Sequence, residues 1–123
     1  MKEPFTIQRL VLDWPLTAQV FPMGEDYAVL VTGGCRPHLG SVSTAYWENQ
    51  AVRCETSLGQ GHRDDVVSRR FAAALAQAGQ CGVSVSCGIH YDNITKEYLA
   101  VVLAETEALL AQLTARLRAD GVK

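Results

Sequence analysis

The sequence has little charge of either sign to spare. Its 11 lysines and arginines stand against 13 acidic side chains, for a formal charge of −2 and a pI near 5.9. A nucleic-acid-binding domain usually carries a basic face and a high pI, so nucleic acid is not an expected partner. No unbroken apolar run approaches the roughly 18 residues of a membrane-spanning helix, and no membrane association is expected. The opening Met1-Lys2-Glu3-Pro4 leads into mixed sequence with Arg9 and Asp13, without the apolar centre of a signal peptide, so the expected location is cytoplasmic. The four cysteines, Cys35, Cys54, Cys81 and Cys87, include no CxxC pair, which argues against a zinc ribbon or a thioredoxin-like redox site. In a reducing compartment they read as small packing residues. The patterns GxxxxGK[ST], GxGxxG and HExxH are also missing, so P-loop, dinucleotide-fold and zincin chemistry lack their signatures.

What is present is an ordinary globular composition, 48% apolar and 20% charged. A chain of 123 residues makes one domain, residues 1–123, large enough to fold without disulfides or a metal. Phe5–Leu12 is rich in strand formers, and Pro15 is expected to interrupt it before Thr17–Phe21 either resumes as a second strand or continues a bent first one. Pro22–Asp26 reads as a turn, and Tyr27–Thr32 as a central strand. Ser41–Trp47 and Ala51–Thr56 read as a hairpin around Glu48-Asn49-Gln50. Asp64 and Asp65 suit the first turn of a helix, because acidic groups oppose its positive end. Val67, Phe71, Ala74, Leu75 and Ala78 give that helix one apolar stripe, and Gly79 is expected to stop it. Val83–Cys87 is a short strand. Thr95 then caps a last helix with a core stripe of Leu99, Val102, Leu103, Thr106, Leu110, Leu113 and Leu117. The order predicts an α+β fold: a small antiparallel or mixed sheet with two helices on one side.

The candidate chemistry lies in three glycine-containing loops. Each carries one of the chain's three histidines: Gly33-Gly34-Cys35-Arg36-Pro37-His38-Leu39-Gly40, then Gly61-His62-Arg63-Asp64-Asp65, then Gly88-Ile89-His90-Tyr91-Asp92-Asn93. Loops on a rigid scaffold are where functional groups concentrate. Taken singly, each histidine also reads as a solvated turn residue. Asp64 and Asp65 also read as plain helix-start residues, and Asp92-Asn93 as a turn. The Gly33-Gly34 pair is a weak candidate for cradling phosphate with backbone N–H groups. Three histidines can form a zinc site, although the spacing here is long. Cys35 before His38 and Cys87 before His90 do not by themselves make a nucleophilic dyad.

Taken together, the three ordered motifs resemble the prenylated-flavin chaperone LpdD-like family, the small D-subunits of bacterial gallate decarboxylases. The resemblance runs from about Tyr27 to the last helix. It implies a proteasome-assembly-chaperone-like fold. It also implies a non-catalytic accessory protein that binds prenylated FMN or FMN as cargo. Its partners would be a UbiD-type decarboxylase of hydroxyarylic acids, which it helps to mature, and a flavin prenyltransferase. Carried over position by position, the resemblance marks Gly34, Pro37, His38, Gly40, His62, Asp64, His90 and Asp92 as facing the cofactor. It marks no catalytic residue and no metal ligand. An apolar sheet face or Trp47 would cover the ring system. Two other readings stay open: a small metal-dependent hydrolase or lyase built on the three histidines, and an assembly module that binds a protein partner. A homo-oligomer through a sheet edge such as Ala51–Thr56 is also open.

Overall fold

The structure, a computed structural model, describes residues 2–59 and 64–121. Strands β1 (Phe5–Val11), β2 (Trp14–Met23), β3 (Asp26–Gly34), β4 (Ser41–Glu48) and β5 (Ala51–Leu58) come first. Helix α1 (Asp65–Gly79), strand β6 (Val83–His90) and helix α2 (Lys96–Gly121) follow. The six strands form one sheet in the order β1-β2-β3-β6-β4-β5, so β1 and β5 are its edges. Every neighbouring pair is antiparallel except β3 and β6, which run parallel at the centre. This is the α+β architecture expected from the sequence.

Alternation along the strands builds one buried face. Leu16, Ala18 and Val20 of β2 continue into Tyr27, Val29 and Val31 of β3, then Val83, Val85 and Cys87 of β6. Ser41, Ser43 and Ala45 of β4 extend the same face. Helix α1 lies on β4, β5 and β6, while α2 packs on α1 and β1. Phe71, Leu75, Leu109, Leu113 and Leu117 fill the space between helices and sheet. A buried hydroxyl chain anchors the start of α1: Ser68 Oγ lies 2.8 Å from Ser41 Oγ and 2.7 Å from Ser43 Oγ, which in turn is 2.8 Å from Thr56 Oγ1. Isolated buried hydroxyls would be costly; here each one finds another.

The structure departs from the expected elements at several points. Pro15 does not interrupt a strand but lies inside β2, paired only with Leu10 of β1. Pro22 likewise pairs only with Tyr27 of β3. Each proline sits where β2 has a neighbour on one side alone, so its missing N–H breaks no central ladder. The first hairpin turns at Leu12 and Asp13, both at positive φ (+49° and +69°), a conformation that leucine rarely signals. The left-handed residue ending α1 is Gln80 (φ +50°), not Gly79. The Thr95 cap is present, with Oγ1 accepting from the Tyr98 N–H at 3.2 Å. On α2, however, Leu99 and Leu103 are half-exposed, and Leu109 joins the core in their place.

Helix α2 corrects the reading of apolar runs as well. By length and composition Lys96–Asp120 is long and apolar enough to cross a membrane, an 18-residue window within it having a mean hydropathy of 1.3. Here 28% of that window is buried against the rest of the chain, with Val102, Leu109, Leu110 and Leu113 inside and Tyr98, Leu99, Val101 and Leu103 exposed.

The phase of α2 is checked by two truncations. Leu109→Ala is expected to lower unfolding free energy by about 2–5 kcal/mol, as for other fully buried leucines. Leu103→Ala, at a half-exposed position, should cost well under half as much. Urea unfolding with an unchanged m value is the measurement.

Candidate functional site

The parallel pairing sends β3 and β6 to the same end of the sheet, with Gly34 opposite His90. Strand β4 starts at that end too, where Ser41 pairs with Cys87. The first and third glycine-containing motifs therefore meet, although both were expected to be loops throughout. Gly33 and Gly34 belong to β3, while Gly88, Ile89 and His90 belong to β6. The Gly33-Gly34 pair forms no amide cradle for phosphate: Gly33 sits in register with Leu16 on one side and Ile89 on the other. Gly34 is at positive φ (+83°) against the His90 backbone. The Cys35 N–H, next along, donates to the His90 carbonyl at 2.9 Å.

The segment after β3 then folds back over β6. The Gly40 N–H donates to the Cys87 carbonyl at 2.9 Å. A Cβ on Gly88 would collide with the backbone carbonyl of His38, and one on Gly40 would collide with the carboxylate of Asp64. At Gly88 the approach requires glycine because the atom met is backbone, and at Gly40 it meets a carboxylate that the Ile89 N–H holds in place. Gly88 is thus a site residue, required where the His38 segment crosses β6, that its motif does not mark out. Its signal was the strand-end Cys87-Gly88, which a β-branched residue would otherwise suit.

Asp64 stands at the N-cap position of α1, but its side chain makes no capping hydrogen bond. Instead Oδ1 accepts from the Ile89 N–H at 3.1 Å, and Oδ2 lies 3.3 Å from His38 Nε2. The Asp64 side chain is only 10% exposed. The helix-start residue is therefore a strut tying α1 to β6 and to the first loop. His38 Nδ1 is 3.0 Å from the Arg36 carbonyl, and because a carbonyl can only accept, Nδ1–H is the donor. That contact fixes the ring and aims Nε2 at Asp64.

The outer half of the site is open to solvent. His90 Nε2 lies 2.9 Å from Asp92 Oδ1 and 3.2 Å from Arg36 Nη2. Arg36 Nη2 donates to the same carboxylate oxygen at 2.5 Å. The hydrogen bond from His90, followed by that from Arg36, lowers the Asp92 carboxyl from 3.8 to about 2. The rings of His38 and His90 stand edge to face with centroids 6.4 Å apart. With Arg36 and Leu39 they line a shallow basin of about 350 Å³.

Of the residues expected to face a cofactor, His38, Asp64, His90 and Asp92 come together, with Gly34 and Gly40 enabling the contacts. Pro37 is exposed on the connecting loop. His62 lies outside the described residues. Among the described residues no three His, Cys, Asp or Glu side chains gather as a metal-ligand set. Burial pushes the Cys87 thiol well above its ordinary value, and the charge of Asp64 adds to this, so Cys87 is a poor nucleophile beside His90. Trp47 is not part of the site. It pairs with Val52 near the β4–β5 turn, whereas the basin lies beyond the Ser41 end of β4.

The family model for the prenylated flavin chaperone LpdD-like domain matches residues 12–118 of this chain, reaching further toward the N-terminus than the three motifs. Protein LpdD of Lactiplantibacillus plantarum (strain ATCC BAA-793 / NCIMB 8826 / WCFS1) is 33% identical over 105 residues, covering 82% of this chain and 76% of its own. Among solved structures, a chain of a chaperone complex for yeast 20S proteasome assembly superposes with a TM-score of 0.58. That match covers 93% of this chain and 98% of the yeast one at 14% identity, a likeness of fold alone.

Two measurements check the geometry. Gly88→Ala is expected to cost about 1–3 kcal/mol, since its methyl group meets backbone rather than a side chain that can swing away. Carbon-detected NMR titration should place the Asp92 midpoint near pH 2, moving up toward the ordinary value in His90→Ala or Arg36→Gln. The folded value lies below the unfolded one, so the carboxylate's stabilising contribution is complete above the ordinary carboxylate range. It is lost as the pH falls through about 2.

Proposed function

Since the chain belongs to the prenylated flavin chaperone LpdD-like family, and so to accessory chaperones, we propose that it is a non-catalytic carrier. Its cargo is prenylated FMN, or FMN, which it takes from a flavin prenyltransferase. Acting in the cytoplasm, it aids delivery of that cargo to, and so maturation of, a UbiD-type decarboxylase of hydroxyarylic acids. The observation that supports this most is the convergence of Arg36, His38 and His90 in one basin at the end of the sheet. A guanidinium matches a phosphate through paired N–H donors, with charge assistance. His90, on the open side of the same basin, can exchange its contact with Asp92 for one to a polar group of the cargo.

The arrangement also suits release. Arg36 already shares its charge with Asp92, and both side chains are more than half exposed. A phosphate must compete with that carboxylate and with water, which holds the affinity down. A carrier that hands its cargo to an enzyme needs such a limit, whereas an enzyme that keeps its cofactor does not.

Native mass spectrometry on protein purified without oxygen, from cells co-expressing a flavin prenyltransferase, tests the reading. The expected spectrum shows an adduct with the mass of FMN or its prenylated form, lost or strongly reduced in His38→Ala and in His90→Ala. Bare wild-type protein, together with unchanged yield of active decarboxylase when the chain is omitted, would sink the carrier reading.

A further inference from the structure

A second concavity adjoins the basin. It measures about 470 Å³, within the range of small-molecule sites. Leu12, Trp14, Tyr91, Ile94 and Tyr98 form much of its wall. Trp14 and Tyr98 are 45% and 54% exposed, so two large aromatic faces stand open to solvent in one cleft. The Tyr91 hydroxyl donates to the Val11 carbonyl at 3.1 Å, which pins one side of the cleft to the end of β1. Asp13 and Asn93 place polar groups on the same rim.

The backbone around this cleft is strained. Leu12, Asp13 and Asn93 are three of the six non-glycine residues at positive φ among the described residues, and all three line it. A leucine at φ +49° is costly, and such conformations persist where the surrounding structure enforces them. Trp14 follows directly on that turn, at the start of β2, and lines the cleft.

The cleft and the basin share a wall. Asp92 and Cys35 line the aromatic cleft, while Asp92 Oδ1 is held by Arg36 and His90, which line the basin. One molecule with a planar ring at one end and a phosphate at the other would therefore span both. Building on the carrier reading, we propose that the cleft of Trp14, Tyr91 and Tyr98 is the subsite for the planar heteroaromatic ring of the cargo, with the phosphate end lying on Arg36. Aromatic faces hold such rings by offset stacking or edge contact, and the Asp13 and Asn93 groups on the rim are placed for the ring's polar edge. The prenyl-bearing side of a modified ring would meet Leu12 and Ile94.

The test uses the full chain, as wild type and as Trp14→Ala, Tyr98→Ala, Arg36→Gln and Trp47→Phe variants, each first shown to keep its far-ultraviolet circular dichroism. Native mass spectra report the flavin retained after anaerobic co-expression with a prenyltransferase. Flavin emission reports titrations of the apo protein with FMN and with riboflavin, which lacks the phosphate. Trp14→Ala and Tyr98→Ala should each weaken both flavins by roughly tenfold, the usual scale of a lost stacking contact. Arg36→Gln should weaken FMN alone, and Trp47→Phe should change neither. Unchanged flavin retention and affinity in both Trp14→Ala and Tyr98→Ala would overturn the ring subsite and leave the carrier reading standing. A wild type that retains no flavin and responds to neither probe would overturn both.

Discussion

The site depends on one pairing, the parallel contact between β3 and β6. Parallel neighbours need a crossover, and here β4, β5 and α1 supply it. The pairing carries Gly34 and His90 to the same end of the sheet, in register, although they lie far apart along the chain. Had the two strands run antiparallel, His90 would lie at the far end, and Arg36 would meet neither it nor Asp92. The insertion of β4 on the other side of β6 then starts the next strand at that same end. Three chain segments are delivered to one place by the topology alone.

Close backbone packing sharpens that convergence. The His38 segment passes over Gly88, and the Asp64 carboxylate fits against Gly40. The hydroxyl chain from Ser41 and Ser43 to Ser68 fixes the first turns of α1, from whose start Asp64 reaches β6. The two site carboxylates thus divide their roles by burial. Asp64, nearly enclosed, joins the helix to the strand and steadies His38. Asp92, exposed, shares the charge of Arg36 and leaves the outer surface adjustable. An accessory chaperone is served by this combination of a rigid inner frame and a solvated outer face.

Much of the fold was legible in the residues. The hairpin around Asn49, the valine-rich β3 and β6 and the Thr95 cap carry local signals that the structure uses, whereas of the stripe on α1 only Phe71 and Leu75 are buried, with Ser68, Ala72 and Ala76 completing the buried face. Where the reading failed, a local rule met a tertiary exception. Pro15 and Pro22 look like breaks, yet each lies where its strand has a single neighbour. Helix α2 is apolar around much of its circumference, so periodicity could not choose between Leu103 and Leu109. Packing on α1 and β1 made that choice. Gly33, Gly88 and Ile89 look like loop residues beside proline and histidine, but parallel pairing extends both strands through them.

The candidate site was legible as a set of motifs and not as a place. By itself the sequence determined the α+β class, the family and the residue types available for binding. These follow from alternation, helical spacing and ordered short motifs, all of which are local. Only the tertiary structure decided that His38 and His90 face each other, that Asp64 serves as a strut, and that Trp14 rather than Trp47 stands beside the basin. Those facts depend on strand order, direction and register, which arise from contacts between residues far apart in the chain and leave no mark in any single stretch of it.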